Sequence, residues 1–141
     1  MPMIRRRSFP RSHVFCFGSN EAGAHGAGAA KVAAEEYNYP FGKSYGHYGY
    51  AFGIPTKDEY ISTLQPHLIE MYIKGFLAYA VGHRKVNFLV TAIGTGLAGI
   101  PADVIAPMFI LPTNGTPENC YFDEQWKEWL GEDSKYWGTF R

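Results

Sequence analysis

Three short stretches hold residue types that could do chemistry together. The first, "GSNEAGAHGAGAA" (residues 18–30), packs four glycines and five alanines between the apolar run "HVFCF" and a helical pattern. So little side-chain bulk leaves backbone N–H groups open to a ligand, and at a helix N-terminus such groups favour an anion. Gly18, Ser19, Gly23, Gly26 and Gly28 form this bare surround. Asn20, at the strand-to-loop junction, has an amide able to fix a ribose hydroxyl or a water, or to form an Asx turn. His25 suits a general base or a phosphate contact, and equally an exposed loop position.

The second stretch is "GTGLAG", with Gly94, Thr95, Gly96, Leu97, Ala98 and Gly99 forming a formal G-x-G-x-x-G between a strand and a helix. The third is "GIPTKDE", which sets Thr56 and Lys57 at another strand's carboxyl end. A lysine there would neutralise a pyrophosphate or polarise a leaving group, although a plain polar loop has the same composition. One glycine loop alone is ordinary turn chemistry. Two on one rim favour a phosphate site.

Several familiar sites do not fit. A dinucleotide fold normally begins with its glycine fingerprint, but only 42 residues follow Gly99. Lys31 is preceded by alanine and followed by valine, so the first loop is not a Walker A sequence. No His/Cys/Asp/Glu spacing suggests a metal, and neither a metal nor a cofactor is expected. Cys16 and Cys120 form no CxxC pair, and Cys16 sits within an apolar run. A reducing, cytoplasmic setting is the simplest compartment.

The elements that must position these loops follow from hydrophobic patterning. "HVFCF" (His13 to Phe17) reads as a buried strand, and "GAAKVAAEEY" (Gly28 to Tyr37) as a helix with Ala30, Ala33, Ala34 and Tyr37 on one face. Residues 44–55 suggest a turn and then a strand ending near Ile54. The longest helix carries Leu68, Ile69, Tyr72, Ile73, Phe76, Leu77 and Ala80 at helical spacing, with Pro66 in its first turn and Ser62 or Thr63 as cap. "VNFLVTAI" is the clearest strand, then comes a short helix with Pro101 at its first position, then the strand "NCYF". Asp123 is placed to cap a closing helix striped by Trp126, Trp129 and Leu130. This β-α-β-α-β-α-β-α order predicts a mostly parallel sheet with helices on both faces, whose ligands bind outside the strands' carboxyl ends.

Composition agrees. The 141 residues suit one domain, with residues 1–12 as a basic N-terminal segment and 13–141 as the folded unit. Zero net charge gives no overall footprint for nucleic acid or an acidic membrane, and Arg5, Arg6, Arg7 and Arg11 read as a solvated terminus. No signal-peptide core and no bilayer-spanning apolar stretch are present. Ten tyrosines suit a ligand cleft or an interface.

Taken together, "FGSN…GAHGAGAA", "GIPTKD" and "VTAIGTGLAGIP" resemble the macrodomains, over roughly residues 13–130. The resemblance implies a three-layer α/β/α fold that binds ADP-ribose or a related nucleotide diphosphate. Asn20, Gly23, Gly26 and Gly28 match that family's first ligand loop, and Gly94 to Gly99 its second. "GIPTKD" is similar to the "FPTK" strand end of antitoxin macrodomains that remove ADP-ribose from DNA, with Lys57 at their catalytic lysine. The chain is also similar to small bacterial and phage proteins without a settled activity.

It departs from the family pattern at three places. No acid precedes the first strand to contact adenine, "GAHGAG" stands where many hydrolases have a Gly-Val-Asp element, and Ala98 replaces an aromatic that stacks on the distal ribose. The resemblance thus implies binding of an ADP-ribose-like molecule or an ADP-ribosylated macromolecule, with Asn20 orienting ribose or water and Lys57 assisting hydrolysis. A non-catalytic reader and a phage–host interaction protein are the alternatives. No membrane partner is expected, and nucleic acid only as a modified substrate.

Overall fold

The computed structural model describes residues 13–112 and 115–139; the basic segment 1–12 lies outside the described residues. In chain order the elements are β1 (His13–Asn20), α1 (Gly28–Glu36), β2 (Gly46–Tyr48), β3 (Ala51–Lys57), α2 (Pro66–Gly82), β4 (Asn87–Val90), α3 (Ala102–Ile105), β5 (Cys120–Asp123), α4 (Lys127–Leu130) and β6 (Lys135–Gly138). The six strands form one mixed α/β sheet in the order β2-β3-β1-β4-β5-β6. Every pairing is parallel except β2 with β3.

Central β1 is apolar from Val14 to Phe17, where it is covered on both faces. Val14 and Cys16 point into a cluster with Ile69, Ile73, Phe76 and Leu77 of α2 and Ile105 of α3. Phe15 and Phe17 point the other way, into a smaller cluster with Ala30, Val32 and Ala33 of α1. Cys16 and Cys120 are free and buried, and burial pushes both thiols up, Cys120 to about 12. Among the described residues no helix is long and apolar enough to cross a membrane.

Four differences from the sequence expectations have physical reasons. Residues 44–55 make a hairpin rather than one strand: Gly49 turns the chain at φ +60°, where a β-carbon would lie 2.5 Å from the Asn38 carbonyl oxygen. β6 adds a further strand, anchored by buried Trp137, whose indole N–H donates to the Val90 carbonyl at 2.9 Å. Helix α2 is preceded by Gln65, not by a Ser62 or Thr63 cap, because both hydroxy residues belong to the preceding turn. Leu68 is exposed, at the margin of a stripe whose centre is Ile69, Ile73 and Phe76. Asp123 does cap the next turn, accepting the Gln125 N–H at 2.9 Å.

Because β1, β3, β4 and β5 run parallel, the chain leaves all of them at one rim. There the two glycine loops, Lys57 and Asp123 meet.

Candidate functional site

The first loop is built around Asn20. Its side-chain amide donates to the Ala24 carbonyl at 2.7 Å, and its oxygen accepts the Ala24 N–H at 3.0 Å. This two-way clamp closes residues 20–24 into a compact turn. Next to it, Glu21 accepts the Tyr72 hydroxyl at 2.5 Å, tying the loop to α2. That bond is the first cause, ahead of burial, that holds the Tyr72 hydroxyl up at about 12. Glu21 is a carboxylate of this loop that the sequence reading passed over.

His25 turns away from the cleft. It is buried, its Nε2–H donates to the Pro40 carbonyl at 3.1 Å, and Phe17, Tyr39 and Phe41 surround its ring. Gly23 is likewise a packing residue, set against Gly42. Gly18, Ser19, Asn20, Gly26 and Gly28 do line the cleft. Helix α1 then begins at Gly28 with no side-chain cap and no acid in its first turn, so its positive end is left unneutralised.

The second loop faces the first. Gly94, Thr95, Gly96, Leu97 and Ala98 all line the cleft, whereas Gly99 does not. Gly94 is required by the fold: its φ is +80°, and a β-carbon there would come within 2.7 Å of Ile105. Gly26 and Gly96 differ, since neither has a positive φ and a β-carbon on either would meet nothing within 4 Å. Thr56 and Lys57 close the third side at the end of β3. Among the described residues Lys57 forms no salt bridge.

Together these residues wall a cleft of about 630 Å³, a size that fits a nucleotide-scale ligand. Its hydroxyl groups are already spent: Ser19 donates to the Ser44 carbonyl, Thr91 to Cys16 at 2.8 Å and Thr95 to Ala92 at 2.6 Å. The N–H groups of Gly26 to Ala30 and of Gly96 to Ala98 have no acceptor among the described residues. The two loops therefore offer backbone donors with a lysine beside them, which suits an anion.

Several lining residues were not read as site residues in the sequence, among them three with larger side chains. Asp123 and Gln125 enter from the end of β5, and Ile61 from the turn after Lys57. Asp123 is engaged by the Gln125 side chain at 3.3 Å and by Thr139 at 3.0 Å. An acid at a strand's carboxyl end was the one available signal. Among the described residues no group of His, Cys, Asp and Glu is arranged to hold a metal. Compared with known proteins, the chain matches no family model and no curated protein sequence.

Proposed function

We propose that the chain binds a phosphate-bearing metabolite of the ADP-ribose class in this cleft, on a three-layer α/β/α fold of the macrodomain type. The observation that carries the proposal is the pair of facing N–H runs, Gly26 to Ala30 and Gly96 to Ala98, with Lys57 at their side. A diphosphate satisfies donors from both loops at once, and the uncapped α1 terminus adds its dipole. Gly26 and Gly96 fit the same role, being bare where the fold does not require it.

Binding is favoured over turnover by two engagements. Asn20 spends its amide on Ala24, and Asp123, the carboxylate in the cleft wall, is held by Gln125 and Thr139. Neither is left free to activate a water, so a reader or sequestering module is the better description than a glycohydrolase. Its partner is then free ADP-ribose, a related nucleotide or an ADP-ribosylated macromolecule. The cytoplasm, where such metabolites and free thiols coexist, is the compartment that fits.

Thermal shift with ADP-ribose, ADP and pyrophosphate tests the site, since a ligand at 100 times its Kd adds about 2.7 kcal/mol to stability. No shift with any of them at saturation overturns it. Incubation with ADP-ribosylated DNA and protein tests the reader assignment. Release of ADP-ribose by the wild type, lost in Lys57→Ala, would make the chain a hydrolase instead.

A further inference from the structure

Resting on the phosphate reading above, we infer that the Lys57 side of the cleft carries a subsite for a flat heterocyclic ring, formed by Tyr60, Ile61 and Leu97. The ligand is then a nucleotide rather than a bare phosphate or a sugar phosphate. The starting observation is backbone strain. Ile61 has φ +65°, and for a β-branched residue this left-handed conformation is a true outlier.

The turn around it is heavily fixed. Asp58 accepts the N–H groups of Tyr60 at 2.8 Å and Ser62 at 3.0 Å through one carboxylate oxygen, and the Ile61 N–H through its own carbonyl at 3.1 Å. The Asp58 N–H donates to the Ser62 carbonyl at 2.8 Å. Glycine or asparagine would serve such a turn without strain, so the turn itself gives no reason for isoleucine.

What the conformation achieves is placement. Ile61 becomes part of the cleft wall, to which Leu97 also belongs. Thr63 locks the two together by donating its hydroxyl to the Ala98 carbonyl at 2.9 Å. Ile61 is 47% exposed and Leu97 76%, so two large apolar side chains meet water in the wall of a cationic, donor-lined cleft, and Tyr60, next to Ile61 in the chain, is 81% exposed. The apolar lip belongs to the same cleft as the anion site, because Ile61 and Leu97 line it together with Lys57 and the glycine loops. A phosphate joined to a flat apolar ring matches this pairing, and tyrosine offers its face for stacking.

The test compares ADP with pyrophosphate by titration calorimetry on the full chain. Wild type should bind ADP about tenfold or more tighter, the scale of one stacked base. Tyr60→Ala should remove most of that ratio and leave pyrophosphate affinity unchanged, and Leu97→Ser should lower the ratio; both positions are exposed, so both variants should fold. Ile61→Gly should raise the melting temperature of the free protein by relieving strain, yet weaken ADP. A ratio unchanged in all three variants overturns the subsite, and so does a ratio that collapses in Gln125→Ala instead, which would seat the ring at the end of β5. Wild type that binds pyrophosphate as tightly as ADP overturns the subsite alone. Wild type that binds neither overturns the phosphate reading and this inference with it.

Discussion

Gly23 and Gly42 meet backbone to backbone. A β-carbon on Gly23 would lie 2.5 Å from the Gly42 carbonyl carbon, and the Gly42 N–H donates to the Gly23 carbonyl at 2.9 Å. Gly23 also has φ +71°, so the fold requires glycine there on two counts. Gly26, in the same loop, has open space and an ordinary φ. One glycine serves the protein and the other the cleft.

The pair gives opposite predictions for one substitution. Gly23→Ala should destabilise by about 2–4 kcal/mol, combining left-handed strain with overpacking. Gly26→Ala should leave stability unchanged or raise it by about 0.4–1 kcal/mol through the unfolded chain, while weakening ADP-ribose. Urea denaturation and ligand titration on both variants separate the effects. Equal stability losses would mean that Gly26 is structural too.

Gly96→Glu puts a carboxylate beside the N–H run of Gly96 to Ala98. The position is exposed and spacious, so folded stability should stay within about 0.5 kcal/mol of wild type. The new acid would occupy and repel the phosphate position, and the thermal shift with ADP-ribose should vanish. Gly96→Ala, small and uncharged, should keep part of it. A full shift in the glutamate variant would place the phosphate elsewhere.

Tyr72→Phe removes the hydroxyl that holds Glu21 and, through it, the Asn20 turn. The loss should be about 1 kcal/mol for one hydrogen bond, with a weaker ADP-ribose complex as the loop loosens. Because the folded Tyr72 hydroxyl is raised from 10.0 to about 12, its contribution is complete below pH 10 and is lost as pH climbs through 12. Wild type and Tyr72→Phe should therefore differ at pH 8 and converge in strong alkali. A gap unchanged across that range would remove the hydroxyl from the account.

Much of this arrangement was legible because it rests on local rules. β1 showed itself as an unbroken apolar run, since both of its faces are covered, and the glycine loops showed themselves by their lack of side chains. The hairpin was hidden because alternating aromatic and small residues in "SYGHYGYAF" read equally well as one strand. β6 was hidden because "KYWG" is short and owes its place to a single buried tryptophan that reaches across to Val90. His25 became a buried residue through Phe17, Tyr39 and Phe41, contacts that no local pattern encodes. Ile61 reached the cleft only through the turn closed by Asp58, and Asp123 and Gln125 only through the pairing of β5 with β4.

His47 gives the acid side of the stability profile. It lies on β2, where its Nδ1 and the Tyr79 hydroxyl share a hydrogen bond at 2.6 Å and His83 stacks on Tyr79 with ring centroids 3.9 Å apart. Burial lowers its pKa from the ordinary 6.5, outweighing a hydrogen bond to the Gly49 backbone that acts the other way, and the nearby His83 adds to the lowering. The unfolded chain therefore takes up the proton first as pH falls. The stabilising contribution is complete above about pH 6.5, declines as pH drops from there towards the folded value, and is constant below it. Melting temperatures between pH 7.5 and pH 5 should fall more steeply for wild type than for His47→Gln, whose amide can still hydrogen-bond Tyr79 but does not titrate. Parallel curves for the two proteins would show that another group governs the acid limb.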